Sequence, residues 1–111
     1  MLFNAPALLT TTLLVLTATF PVSAVDYRLL ANKPGSGSIE SFKVSFKIQC
    51  PFFNPTNNTN ANHRSTFFVP GDWQGQNTDS QALVYCTFTK QDGTAFAVTR
   101  ELVDSLGGSI A

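Results

Sequence analysis

The sequence predicts a small all-β domain, an antiparallel β-sandwich or barrel of about five or six strands. Three observations favour this fold class. Two segments alternate apolar and polar residues, turn-forming residues separate several short apolar runs, and only one segment near the C-terminus has the pattern of a helix.

The N-terminal segment has the composition of a targeting signal. Residues 1–24 contain no charged side chain and end in Val22-Ser23-Ala24, whose small residues are typical of a cleavage site. A membrane-spanning helix is the alternative, but threonines interrupt the apolar stretch and Pro21 ends it. We therefore predict a signal peptide over residues 1–24 and a single secreted β-domain over residues 25–111, with no membrane span after cleavage. Later entry into host cells stays open.

The clearest strand pattern runs from Phe42 to Cys50, where every even position is apolar and every odd position is polar. This alternation predicts a strand with one buried face and one solvated face. Tyr27 to Ala31 and Thr66 to Val69 are shorter strand candidates, and Lys33 to Ser38 is a glycine-rich turn region between the first two strands.

A β-hairpin is predicted from Ala82 to Thr99. Its two arms flank Gln91-Asp92-Gly93, a three-residue turn in which Gly93 suits the left-handed position. The one helix candidate follows from Arg100 to Leu106, with Thr99 available to cap its start and Gly107 its end.

Cys50 and Cys86 are the only cysteines, and an even count in an oxidising compartment favours pairing. Both lie on the apolar faces of their predicted strands, where two inward-pointing thiols in facing strands can reach the separation that a disulfide needs. We predict a Cys50–Cys86 disulfide that stabilises the fold by roughly 3 to 4 kcal/mol in the chain-entropy model.

The charges and the single histidine give little support for catalysis. Seven basic and seven acidic residues balance, so nothing indicates nucleic acid as an electrostatic partner. His63 is the one candidate for acid/base work; with Glu40, Glu101 and Arg100 it would suit a small secreted ribonuclease, but no spacing joins these residues. One histidine and two paired cysteines cannot fill a zinc shell. We expect no catalytic residue, metal or cofactor.

Two aromatic residues are candidates for binding. Trp73 lies in a loop flanked by glycines and can either hold a sugar or a protein partner or cover a small core. Of the two phenylalanines after the first cysteine, Phe52 continues the even-numbered apolar face, and Phe53 is the candidate for exposure. Asn57-Asn58-Thr59 is a complete glycosylation sequon, whose alternative role is to keep a polar loop solvated.

The predicted domain is small, secreted and β-rich, with one disulfide and no catalytic set, and in these features it resembles small secreted fungal effectors. In particular it resembles the MAX effectors, which are compact six-stranded β-sandwiches with one disulfide. It is also similar to the Alternaria-allergen-like β-barrel family in its Val-Ser-Phe segment before a cysteine. The residues that carry these resemblances are Cys50 and Cys86 with Val44, Ser45, Phe46, Ile48, Val84 and Phe88.

Both resemblances imply a non-enzymatic virulence protein that binds a host macromolecule, commonly a protein of a plant host. An exposed aromatic loop or a free sheet edge would provide the contact. A ribonuclease that uses His63 and a carbohydrate-binding or cell-wall module that uses Trp73 are the alternatives.

Overall fold

The computed structural model describes residues 25–53 and 60–111. The signal peptide and the Asn57 sequon lie outside these residues and stay predictions. Within the described residues, no helix has the length and apolar character needed to cross a bilayer.

The described strands form one antiparallel sheet. In chain order the described elements are β1 (Leu29–Asn32), α1 (Ile39–Gln49), a 3-10 turn (Cys50–Phe52), β2 (Asn62–Pro70), β3 (Gln81–Thr89), β4 (Ala95–Ala97), α2 (Thr99–Ser105) and β5 (Ser109–Ile110). The strand order of the sheet is β2-β3-β1-β5, and β4 pairs with β3 on the same side as β1 but further along the strand.

The predicted antiparallel pairing and the count of about five strands are confirmed. The prediction of a sandwich or barrel is not confirmed, because the described strands form one sheet that does not close. The predicted short C-terminal helix is present as α2, and α1 is an additional helix.

The strand prediction for Phe42 to Cys50 is wrong, because this segment forms helix α1 and the start of the 3-10 turn. Ser38 begins the helix in a capping box: its Oγ accepts a hydrogen bond from the Ser41 N–H, and the Ser41 Oγ accepts one from the Ser38 N–H. Ile39, Phe42 and Phe46 face the sheet, at the spacing of one helix face.

The opposite face of α1 carries the residues that make the sequence look like a strand. Val44 and Ile48 are 55% and 61% exposed, although Phe42 and Phe46 on either side of Val44 are buried. Residues four apart share a face in a helix and also in a strand, so the two phenylalanines alone do not distinguish the two structures.

The Cys50–Cys86 disulfide is present, with Cα atoms 5.7 Å apart. It joins the C-terminal end of α1 to the middle of β3, so it connects a helix to the sheet rather than two facing strands. Both sulfurs are buried, and the Thr66 hydroxyl of β2 donates a hydrogen bond to Cys50 Sγ at 3.0 Å.

The predicted hairpin is confirmed as β3 and β4, with Gly93 at φ 90° in the turn. The predicted short helix is also present as α2, but Val98 rather than Thr99 is its first cap residue. The buried Thr99 hydroxyl instead accepts a hydrogen bond from the Cys86 N–H at 3.0 Å. Gly107 ends the helix region at φ 89°.

The two helices lie on one face of the sheet, and this helix-covered face contains the core. Side chains of α1 and α2 pack there against alternate residues of the strands. No helix of residues 25–53 and 60–111 covers the opposite face, which includes Phe67 and Tyr85 and is called the helix-free face below. The buried core residues are Ala31, Phe42, Phe46, Cys50, Phe68, Ala82, Val84, Cys86, Phe88, Val98, Leu102 and Val103.

Candidate functional site

The helix-free face of the sheet carries large side chains that are not part of the core cluster. Strand register places Phe67 opposite Tyr85, and their rings stack with centroids 5.0 Å apart and planes 7° apart. In the next row along the strands, Leu83 pairs with Val69 on one side and Leu30 on the other. The face therefore has an aromatic pair beside a short aliphatic row, in which Leu83 is buried and Val69 is 47% exposed.

Trp73 extends this face from the loop between β2 and β3. Its indole is 51% exposed and lies outside the core, so the alternative in which it covers the core is not seen. The Arg28 guanidinium lies over the indole at 5.1 Å from the ring centroid, at cation–π distance. Arg28 thus brings the loop next to the start of β1.

Asp72 organises the loop that presents Trp73. Its Oδ1 accepts hydrogen bonds from the N–H groups of Gln74 and Gln76, both at 2.9 Å, and its Oδ2 accepts one from Asn77 Nδ2 at 2.9 Å. These bonds, with that from the Gln76 N–H foremost, lower the pKa of Asp72. The loop also needs Gly71, whose φ of 111° is open to glycine without strain.

Arg28 and Asp26 form an exposed ion pair beside the same face. Arg28 Nε donates to Asp26 Oδ1 at 2.9 Å, and Arg28 Nη2 donates to Oδ2 at 2.8 Å. These hydrogen bonds lower the pKa of Asp26 to about 2 and raise the pKa of Arg28.

A recess of about 910 Å³ lies next to the aromatic pair. Four separate segments of the chain form its walls, so no short sequence motif predicts the recess. The lining residues are Val25, Asp26, Tyr27, Arg28, Arg64, Ser65, Phe67, Tyr85, Gly93, Thr94 and Ala95.

The other sequence candidates lie apart from this face. His63 is exposed on β2, where Nε2 is 2.8 Å from Thr66 Oγ1 and the ring contacts Phe88 edge to face. Among the described residues, no hydrogen bond or ion pair joins His63 to Glu40, Glu101 or Arg100. The structure therefore does not bring the ribonuclease candidates into contact.

The two phenylalanines after Cys50 have exchanged environments relative to the sequence prediction. Phe52 is 82% exposed, whereas Phe53 packs against the core. The 3-10 turn causes this exchange, because it breaks the alternation on which the prediction depends. Phe53 is therefore a poor binding candidate.

No group of three or more histidine, cysteine or acidic residues within residues 25–53 and 60–111 is placed to hold a metal ion. Comparison with protein-family models, with curated proteins and with solved structures gives no match for this chain. The function of the candidate site is therefore inferred from its geometry alone.

Proposed function

We propose that the protein is a secreted, non-enzymatic binding protein of the effector type, which binds a host protein through the helix-free face. Trp73 carries the proposal, because a half-exposed indole on a loop fixed by hydrogen bonds is a suitable anchor for a partner pocket. Trp, Tyr and Arg dominate the energetics of protein interfaces. Here Arg28 lies over the Trp73 ring and lines the same recess as Tyr85.

The order of the loop adds to this proposal. A loop held by the three side-chain hydrogen bonds of Asp72 loses less conformational entropy on binding than a free loop does. Val69, which is 47% exposed, provides apolar area beside the aromatic residues, and the buried Leu83 supports it from the neighbouring strand.

The test compares two exposed apolar residues on opposite sides of the molecule. The wild type and both variants are each used to capture proteins from host extract. A candidate partner is a protein that the wild type and Ile48→Ala capture and that Trp73→Ala does not. With a purified partner, we expect Trp73→Ala to weaken Kd about 30-fold or more, the loss of one interface anchor of about 2 kcal/mol. Full affinity of Trp73→Ala, or an equal loss with Ile48→Ala, would contradict the proposal.

A carbohydrate-binding module is the second candidate, and the exposure of the same indole favours it. Arg28 covers one face of the Trp73 ring, and the same loop carries the exposed residues Gln74 and Gln76. A sugar ring could stack on the opposite face with the amides as hydrogen-bond donors. A glycan array would show Trp73-dependent binding in this case, with no protein captured from host extract.

A further inference from the structure

The recess beside Phe67 and Tyr85 has an excess of positive charge. Arg28 and Arg64 line it together with a single carboxylate, that of Asp26. If the predicted cleavage follows Ala24, the new α-amino group lies on Val25, which also lines the recess. A recess with this balance attracts an anionic group.

The two arginines of the recess are in different states. Both donor groups of Arg28 that face Asp26 are engaged by its carboxylate. Arg64 is exposed and makes no ion pair within the described parts of the chain. A guanidinium presents paired N–H groups that match the two oxygens of a carboxylate, so Arg64 is the cation available to a ligand.

The aromatic pair determines what accompanies the anionic group. Phe67 follows Arg64 on β2 by three residues, and its ring lies flat against that of Tyr85. Ser65 and Thr94 also line the recess, and the Ser65 hydroxyl is hydrogen-bonded to Thr87 Oγ1 at 2.7 Å. The recess thus combines a cation with an aromatic pair, which suits an acidic group next to an aromatic ring.

We propose that this recess binds an acidic segment of the protein partner, in which a glutamate or aspartate is adjacent to an aromatic residue. Arg64 binds the carboxylate and the Phe67–Tyr85 pair contacts the ring. This inference rests on the proposed function for its partner class. The binding of an acidic ligand in the recess is argued only from the residues that line it.

Asp26 limits the affinity of the recess in this arrangement. Its carboxylate repels an anionic ligand and holds the Arg28 guanidinium, so it weakens the site in two ways. Replacement by asparagine keeps the size of the side chain and removes the charge. Asp26→Asn should therefore bind an acidic ligand more tightly than the wild type does, which a merely structural role of the ion pair would not produce.

The experiment uses two dipeptides that differ only in charge, acetyl-Glu-Phe-amide and acetyl-Gln-Phe-amide. In an NMR titration of the 15N-labelled protein, we expect the Glu dipeptide to shift the amide signals of Ser65, Thr94 and Ala95 saturably. The Gln dipeptide should bind at least fivefold more weakly. Added salt should reduce this difference, because the exposed ion pair is screened.

Three variants complete the titration. Arg64→Gln should bind both dipeptides equally weakly, and Arg100→Gln, which removes an exposed arginine from α2, should behave as the wild type. Asp26→Asn should bind the Glu dipeptide at least threefold more tightly. Equal binding of the two dipeptides by the wild type, or no effect of Arg64→Gln, would overturn the inference, as would tighter binding of tri-galacturonate than of the Glu dipeptide.

The purified partner separates this inference from the proposed function. If Trp73→Ala loses the partner while Arg64→Gln keeps full affinity, the helix-free face binds a protein and acid recognition in the recess is wrong. If the Glu dipeptide binds through Arg64 but no captured protein depends on Trp73, the recess stands and the proposed function is wrong.

Discussion

The two faces of the sheet use the same strands for different purposes. On the helix-covered face, Val84, Cys86 and Phe88 of β3 are buried under α1 and α2. On the helix-free face, Tyr85 is half-buried and lies beside charged and aromatic groups. Strand alternation places the apolar core of β3 on one face and Tyr85 on the other, where Leu83 and Thr87 are nevertheless buried too. Variants of core residues under the helices and of exposed residues on the helix-free side can therefore test stability and binding separately.

The largest expected effect is on the helix-covered face. Phe46→Ala should lower the free energy of unfolding by about 3 to 5 kcal/mol, because it leaves a cavity between α1 and the sheet. Ile48→Ala, two residues further along, should change it by less than about 0.5 kcal/mol, because Ile48 is exposed. Urea denaturation measures both. Equal losses for the two variants would indicate a strand in place of α1.

The disulfide gives the next largest effect. The double variant Cys50→Ser with Cys86→Ser should lose about 3 to 4 kcal/mol of unfolding free energy, since the bond closes a loop of 36 residues. The same urea titration measures this loss, and the wild type with a reducing agent should approach the double variant. A stability unchanged by either treatment would mean that the bond does not constrain the unfolded chain.

The smallest expected effect on global stability is in the Trp73 loop. Asp72→Ala should mobilise the loop, because it removes the hydrogen bonds to Gln74 and Gln76. Amide exchange at both residues should accelerate about tenfold or more. The fluorescence polarisation of Trp73, the only tryptophan, should fall in the same variant. Asp79→Ala is the control, because among the described residues Asp79 makes no side-chain hydrogen bond.

The loop should also respond to acid. The folded pKa of Asp72 lies below its unfolded value of about 3.9, so its contribution is complete above that value and is lost as the pH falls through the lower folded pKa. Trp73 polarisation in the wild type should therefore decrease below about pH 4. A decrease in Asp72→Ala over the same pH range would point to a different group.

Much of the sheet follows from local sequence, whereas the longer helix does not. The sequence predicts the β3–β4 hairpin correctly, because the alternation of apolar residues and the turn at Gly93 both agree with the structure. Helix α1 was missed because Val44 and Ile48 remain exposed, which places apolar residues at every second position. The spacing of Ile39, Phe42 and Phe46, together with Ser38 at the cap, is the helical signal that the sequence does contain.

The disulfide pairing was predictable, but its structural setting was not. Two cysteines have one possible intramolecular pairing, which is the same whether Cys50 ends a strand or a helix. The recess is not predictable from the sequence, for a different reason. Arg64, Tyr85 and Thr94 come together only when β2, β3 and the hairpin turn pair in register, and tertiary register is not encoded in a local motif. Strand β5 depends similarly on its pairing with β1.

The position of the disulfide determines what happens when a protease cuts the Trp73 loop. The segment between Cys50 and Cys86 includes the exposed loop that carries Trp73. A protease that cuts this loop once leaves two fragments that stay covalently joined, because one cysteine belongs to each fragment. A nicked molecule thus remains covalently in one piece until a reductant opens the buried bond as well.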